Sequence, residues 1–319
     1  MTAKTSRRRF LKTGALATVS TCLLGCAQQP EEQPAAKVGT PQPESTEFAA
    51  KHPRLFPGCC ALSFQEYLSK GKMTMPEVIE KVIEMGSIGL DMTVYWFKST
   101  EPAYLAGLRH MAFKKGVPFS GAACGSSMVY AEAAKRRQAL AEIKKWVDVT
   151  DQLGASHLRI FAGQLPSSAV LKEGIDWVVE TMKPACEYSG EKGITLGIEN
   201  HDGITQHADV CLEILRRVNS PFAGINLDVT NFKATPTEDA YAQIKACIPY
   251  ATHTHIRERF GDGSAVDLDR VFRMFAEGGY KGFMSAEYEY QGKGSDGTMT
   301  GLPKLMDKIK TLCQKYYTA

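Results

Sequence analysis

The sequence predicts a single-domain (β/α)8 barrel, the TIM-barrel fold, and three observations support this prediction. From residue 53 onward, short apolar segments alternate eight times with longer amphipathic segments, which is typical of parallel strands joined by helices. Four consecutive strand segments carry acidic or histidine side chains at their ends, at Glu199, Asp228, His255 and Glu287. Their spacings of 29, 27 and 32 residues each match one strand–helix–strand unit of roughly 30 residues.

Each strand segment is short and apolar, and each is followed by a segment whose apolar residues recur at helical spacing. Strands are expected at residues 55–64, 88–97, 117–123, 157–162, 194–203, 223–229, 252–257 and 282–289. Helices are expected at residues 74–85, 102–115, 131–153, 175–191, 208–218, 240–248, 268–276 and 302–316. Eight such units close into a barrel. An open doubly wound sheet is the alternative, but it would gather the ligand-type residues at one switch point.

The fifth strand segment has the most informative ending. It reads ITLGIENHDG, in which apolar residues alternate up to Glu199 and polar side chains follow. Active sites of barrels lie at the carboxyl ends of the strands, so Glu199, Asp228, His255 and Glu287 should meet at one rim. Three carboxylates and one imidazole form an oxygen-rich site for a divalent cation. We expect one Mn²⁺, Mg²⁺, Co²⁺ or Zn²⁺ ion, with the harder ions favoured.

Residues 1–25 are interpreted as a targeting signal and are excluded from the fold. Residues 6–12 read SRRRFLK, which resembles the twin-arginine export consensus, and residues 23–26 read LLGC, which resembles a bacterial lipobox with Cys26 as the lipidated residue. The apolar run between them is too short for a bilayer, which needs about 20 residues. A short anchor helix with a chance cysteine is the alternative. We therefore expect export to the periplasm and membrane attachment through a lipid on Cys26.

Residues 26–52 are rich in proline, glutamate and glutamine and predict a disordered tether, followed by the barrel at residues 53–319. The net charge of +3 depends on the signal segment. Without its five basic residues, the chain has 33 basic and 35 acidic residues, about −2. This balance argues against a nucleic-acid partner.

Four motifs resemble those of the xylose isomerase-like TIM-barrel superfamily, which contains sugar isomerases and epimerases and also endonuclease IV. They read IENHDG, LDVTN, HTHIRE and SAEYE. The resemblance implies that Glu199, Asp228, His255 and Glu287 bind one divalent metal ion. It also implies that Glu199 and Glu287 are the acid/base pair acting on a carbohydrate substrate. The sequence does not decide whether the protein forms a homo-oligomer.

Several other residues near the strand ends are candidates for substrate binding. His201 lies two residues beyond Glu199, and Arg257 lies two beyond His255. Arg257 is expected either to contact a substrate oxygen or to form a rim salt bridge with Glu258. Arg159 is expected to be buried, so it needs a carboxylate partner or a substrate. The remaining candidates are Trp96, as an aromatic sugar platform next to Tyr95, and Asn231.

Two further functions remain open, and a third is argued against by the sequence. A metal-dependent lyase that eliminates from 3-keto glycosides would use the same metal and carboxylate pair. A non-catalytic sugar-binding lipoprotein would not need Glu287 opposite Glu199. An endonuclease of this superfamily uses a three-zinc cluster with extra histidines. The chain departs from that pattern, because Asn231 stands where a cluster histidine is expected and no Asp-x-His motif follows His255.

Overall fold

The computed structural model describes residues 54–234, 238–289 and 297–317. The predicted signal segment, its lipidation site at Cys26 and the predicted tether lie outside these residues. The strands are β1 (Arg54–Cys60), β2 (Gly89–Thr93), β3 (Phe119–Ala123), β4 (His157–Ile160), β5 (Thr195–Glu199), β6 (Ala223–Asp228), β7 (Ala251–Ile256) and β8 (Lys281–Ala286). The helices that follow them are α1 (Met75–Glu84), α2 (Pro102–Lys114), α3 (Ala133–Leu153), α4 (Leu171–Gly190), α5 (Ala208–Val218), α6 (Glu238–Cys247), α7 (Leu268–Glu277) and α8 (Thr298–Tyr316).

The eight strands form a closed parallel barrel in chain order, with β8 paired to β1. The predicted (β/α)8 fold is therefore confirmed, and the doubly wound sheet is excluded. Side chains of a strand alternate between the two faces of a sheet. Leu196 and Ile198 of β5, like Ile225 and Leu227 of β6, are fully buried on the face that the helices cover. Gly197 and Asn226, which lie between these apolar residues, face the barrel interior.

Several strands are shorter than the sequence predicts. β1 ends at Cys60, and residues 61–64 form a 3₁₀ turn. β2 ends at Thr93, and a second 3₁₀ turn follows at Val94–Trp96. An apolar run continues through these turns because their side chains pack under the rim, so composition alone does not mark where the strand ends.

The helix ends follow local capping chemistry. Thr74 precedes α1, and the carboxylate of Glu77 accepts hydrogen bonds from its backbone N–H at 2.7 Å and its hydroxyl at 2.8 Å, as in a capping box. Asp267 caps α7 by accepting a hydrogen bond from the N–H of Arg270 at 3.0 Å.

Among the described residues, no helix combines the length and apolarity needed to cross a bilayer.

The lower part of the barrel interior is filled by aromatic and imidazole rings rather than by branched aliphatic side chains. The rings of His157 and His253 stack with centroids 5.0 Å apart, and both residues are buried. Burial lowers the pKa of His253 to about 4 and holds the pKa of His157 well below its usual value. Glycines on neighbouring strands leave room for these rings: a Cβ at Gly197 would lie 2.3 Å from His157 Nε2, and one at Gly89 would lie 2.2 Å from the ring of Phe283.

Gly197→Ala is expected to destabilise the barrel. Its added methyl group would collide with the His157 ring and lie 3.1 Å from the backbone nitrogen of Asn226, so the interior must shift. Overpacking of this kind costs about 1–3 kcal/mol, which urea unfolding of the purified protein measures. Gly107→Ala is the matched control, because nothing lies within 4 Å of that position in α2 and alanine is favoured in helices by about 1 kcal/mol. Equal unfolding free energies for wild type and Gly197→Ala would contradict a tightly filled interior.

The seven cysteines of the described residues, from Cys59 to Cys313, are all buried and unpaired. Burial raises the pKa of the thiols at Cys60, Cys124 and Cys247 to about 12. These thiols therefore remain protonated and pack as small apolar side chains, as expected for thiols that do not form disulfides.

Candidate active site

The carboxyl ends of β5 to β8 bring ligand-type side chains to one rim of the barrel. Glu199 is the last residue of β5 and Asp228 is the last of β6, while His255 lies near the end of β7 and Glu287 directly follows β8. Their exposed fractions are only 2%, 0%, 0% and 4%. Because these four ionisable groups are buried away from solvent, their charges must be neutralised by one another or by a cation.

His255 lies at the centre of this site. Its Nδ1 is 2.9 Å from Glu199 Oε1 and 3.0 Å from Glu287 Oε2. Burial lowers the pKa of His255, but the charges of Glu287 and Glu199 outweigh burial and raise the pKa well above its usual value. Two carboxylates therefore face one ring nitrogen, and a positive charge, either a proton or a metal ion, is favoured at this position.

Asp228 approaches the same rim but lies outside this central group. Its Oδ1 accepts hydrogen bonds from the N–H and hydroxyl of Thr230 at 2.6 and 2.8 Å. Its Oδ2 is 3.7 Å from Arg257 Nη1 and has no hydrogen-bond partner among the described residues. Burial raises the pKa of Asp228 to about 6, with Arg257 opposing and Glu287 and Glu199 reinforcing the shift.

The residues present fit a divalent cation. One donor atom each from Glu199, His255 and Glu287 lies within 4.8 Å of the others. The buried Oδ2 of Asp228 lacks a hydrogen-bond partner among the described residues, and the buried Oε2 of Glu287 has the same His255 nitrogen as its neighbour at 3.0 Å. Carboxylate oxygens and a neutral imidazole nitrogen suit Mg²⁺, Mn²⁺ or Zn²⁺.

Arg159 of β4 is buried beneath Glu199. Its Nε is 3.2 Å from Glu199 Oε2, and its Nη1 donates to the backbone carbonyl of Cys124 at 3.1 Å and to the Tyr95 hydroxyl at 3.3 Å. The guanidinium also lies 3.9 Å from the centroid of the Phe161 ring. Of the two alternatives given by the sequence, the structure provides the carboxylate partner, and contact with substrate stays a prediction.

Arg257 and Asn231 form a second polar group on the rim. Arg257 Nη1 donates to Asn231 Oδ1 at 3.2 Å, and Nη2 pairs with Glu289. The alternative rim partner Glu258 instead pairs with Lys308 at 2.5 Å. A cavity of about 570 Å³ opens beside Arg257 and Glu287, within the volume range typical of small-molecule sites.

His201 and Trp96 lie on the rim away from the central group. His201 is half-buried and packs on Phe161 with ring centroids 4.7 Å apart. Trp96 is half-buried in the turn after β2, and its ring contacts the Tyr95 ring edge-on, with centroids 5.8 Å apart. Tyr95 is 46% exposed, so an aromatic surface is available, and its hydroxyl connects through Arg159 to Glu199.

Three residues of the site were not predicted from the sequence. Asp91 of β2 has its Oδ2 3.0 Å from His255 Nε2. Asn226 Nδ2 lies 3.3 Å from His255 Nδ1. The Asn200 side chain bonds both the backbone N–H and the carbonyl of Asp228, at 2.9 and 2.8 Å, and so fixes the end of β6 to the end of β5. The signal for Asp91 was a lone acid within the apolar segment GLDMTV.

The fold and this rim define a class: a closed parallel barrel with buried carboxylates and an imidazole at the carboxyl ends of its strands. The chain belongs to the Xylose isomerase-like TIM barrel family, whose sequence profile matches residues 79–311. No curated protein sequence matches it.

Solved structures of similar fold include three from different bacteria. Protein SMc04130 from Sinorhizobium meliloti 1021 is 17% identical, with a TM-score of 0.67 over 81% of this chain and 98% of that one. The 3-keto-D-glucoside 4-epimerase YcjR from E. coli is 13% identical, with a TM-score of 0.64 over 81% and 99% of the two chains. The D-allulose 3-epimerase from Methylomonas sp. is 20% identical, with a TM-score of 0.64 over 83% and 98%.

Proposed function

We propose that this protein is a divalent-metal-dependent sugar isomerase or epimerase that transfers a proton next to a sugar carbonyl. The observation that carries the proposal is the arrangement of Glu199 and Glu287, on strands 5 and 8, within 3.0 Å of the same nitrogen of His255. The family and the epimerases among the similar structures support a sugar substrate.

Glu199, Asp228, His255 and Glu287 would hold the cation. When bound, a divalent ion supplies an electrophile that polarises a carbonyl and stabilises negative charge on oxygen. Asn200 holds Asp228 at the end of its strand, and Arg159 holds Glu199. The protein thus fixes the direction of two carboxylates before substrate arrives, which is how an active site lowers reorganisation during reaction.

Proton transfer falls to the two glutamates. One carboxylate removes the proton from the carbon next to the carbonyl, the electron pair of that C–H bond forms an enediolate, and the other carboxyl returns a proton. Burial raises the pKa of Glu287, but His255 and the two arginines outweigh it and lower the pKa to about 2, so Glu287 is ionised at neutral pH. Return of the proton to the opposite face inverts the carbon, and return to the neighbouring carbon interconverts aldose and ketose.

A lyase is the second candidate, because YcjR, a similar structure, acts on a 3-keto-D-glucoside. In β-elimination, the same base would remove the proton next to the keto group, and the electron pair would expel the glycosidic oxygen instead of receiving a proton. Both reactions begin with the same C–H cleavage, so the product distinguishes them.

The deciding experiment is turnover of the Mn²⁺-loaded protein in D₂O with ketohexoses and with 3-keto glucosides, followed by NMR. We expect deuterium at the carbon next to the carbonyl together with an epimer or isomer. Release of the aglycone would identify the lyase. Turnover without deuterium would indicate hydride transfer, and binding without turnover would indicate a sugar-binding protein; either result would overturn the proposal.

We also infer export by the twin-arginine route, with lipidation at Cys26. Acyl chains on Cys26 would attach the protein to the membrane by burying their methylene groups. Cys26→Ser is therefore expected to move the protein from the membrane fraction to the soluble fraction, as measured by fractionation and intact-mass analysis. A wild-type protein that is already soluble and begins well downstream of residue 26 would contradict the lipobox interpretation. Cys22→Ser, within the same signal segment, is the matched control and should leave attachment unchanged.

A further inference from the structure

Asp91 contacts the imidazole of His255 from the far side of the barrel. It belongs to β2, whereas His255 belongs to β7, and the two residues are 164 positions apart. The Oδ2–Nε2 distance is 3.0 Å, and the exposed fractions are 1% and 0%. Gly121 lies level with Asp91 on β3, and a Cβ there would already lie 3.4 Å from Asp91 Oδ1. The local sequence therefore leaves room for this carboxylate to reach across the barrel.

The two ring nitrogens of His255 face different partners. Nδ1 faces Glu199 and Glu287, and Nε2 faces Asp91. An imidazole that binds a metal through one nitrogen carries its proton on the other, and the group that accepts this proton fixes the tautomer and ring orientation. For Nδ1 to offer its lone pair to a cation, the proton must reside on Nε2, where the Asp91 carboxylate accepts it.

We infer that Asp91 is a positioning residue, which holds the proton on His255 Nε2 and keeps Nδ1 turned toward Glu199 and Glu287. This inference rests on the proposed function, since it assigns a role for the cation bound there. Asp91 does not touch the substrate in this arrangement. Its effect passes through the direction and basicity of one imidazole.

The test is the affinity of the purified full chain for Mn²⁺, measured without substrate. Asp91→Asn is nearly isosteric and retains an oxygen that accepts from Nε2, but it loses the charge. Loss of such a partner typically costs about 10–100-fold in metal affinity, so we expect the Kd for Mn²⁺ to rise by that factor. Asp91→Ala removes the acceptor altogether and should weaken binding further.

A matched control separates positioning from packing. Cys186 is also fully buried, but it lies on α4 and not inside the barrel. Cys186→Ser buries a hydroxyl away from the Asp91–His255 contact, so it should lower the melting temperature of the metal-free protein without changing the Kd for Mn²⁺. An equal rise in Kd for Cys186→Ser and Asp91→Asn would attribute the effect to packing and overturn the inference.

NMR of ¹⁵N-histidine-labelled protein loaded with Mg²⁺ gives an independent readout. We expect one tautomer for wild-type His255, protonated at Nε2, and loss of this single state in Asp91→Ala. Two results would overturn the role of Asp91 while leaving the proposed metal site in place. One is a wild-type affinity for Mn²⁺ in Asp91→Asn, and the other is a His255 proton on Nδ1 in the Mg²⁺-loaded protein. Absence of Mn²⁺ binding by the wild type would overturn the proposed metal site, and this inference with it.

Discussion

Glu199→Gln and Glu287→Gln are each expected to reduce turnover of a keto-sugar by at least about 10²–10⁴-fold, the usual contribution of a general acid or base. Glutamine preserves the size of the side chain but cannot take a proton from carbon. The loss should fall mainly on kcat, since an amide oxygen still fits the site. Deuterium incorporation from D₂O should disappear together with turnover.

The two variants should differ in metal content. Glu199 is held by both Arg159 and His255, at 3.2 and 2.9 Å, so an uncharged side chain at this position leaves a buried arginine without its partner. Among the ion pairs of the described residues, Glu287 faces His255 Nδ1 at 3.0 Å and no arginine, so its replacement disturbs less. We therefore expect Glu287→Gln to retain more metal and more stability than Glu199→Gln.

Glu191→Gln is the control, because Glu191 is exposed beyond the end of α4. It makes the same chemical change far from the rim and should leave turnover at the wild-type level. Full activity of both Glu199→Gln and Glu287→Gln would remove the acid/base pair from the mechanism.

Asp228→Ala is expected to abolish stoichiometric metal binding. The aspartate is fully buried, its Oδ2 is free of hydrogen bonds among the described residues, and its pKa is raised to about 6 in the metal-free protein. A divalent ion would reverse this shift by stabilising the ionised form. Elemental analysis after dialysis against Mn²⁺ should give about one ion per chain for wild type and nearly none for the variant.

The raised pKa also gives this binding a pH dependence with a definite sign. Below pH 6 a proton occupies Asp228 and competes with the cation, so the Kd for Mn²⁺ should rise as pH falls through that value. Asp151→Ala removes an exposed carboxylate that pairs with Lys192 on the helical surface and serves as the control. Equal metal content in Asp228→Ala and wild type would remove Asp228 from the ligand set.

The sequence predicts the fold and much of the rim because both depend on local patterns. Eight alternations of strand and helix fix the barrel, and the position of a residue at a strand end fixes its height in the barrel. Glu199, His255 and Glu287 lie together for this reason. The sequence marks strand ends less clearly, since apolar residues such as Phe64 and Val94 continue beyond Cys60 and Thr93 into the turns.

Contacts across the barrel could not be predicted from such patterns. Asp91 and His255 meet because β2 and β7 face each other through the interior, and no spacing along the chain indicates which side chain of one strand reaches which side chain of the other. The orientation of Asp228 toward Thr230 was missed for a related reason, because a hydroxyl two residues later competes for its oxygen.

The glycines at 58, 89, 121 and 197 allow the two faces of the barrel sheet to have different roles. The outward faces of the strands bind the helices and supply the apolar burial on which folding depends, while the inward faces hold rings in space that the missing side chains leave. The floor beneath the rim can therefore be rebuilt without disturbing the outer layer. The His253 ring of this floor contacts the His255 ring, with centroids 6.1 Å apart. Substitutions in the floor would therefore shift His255 from below, so the reaction of such a barrel can be altered from its interior as well as from its rim loops.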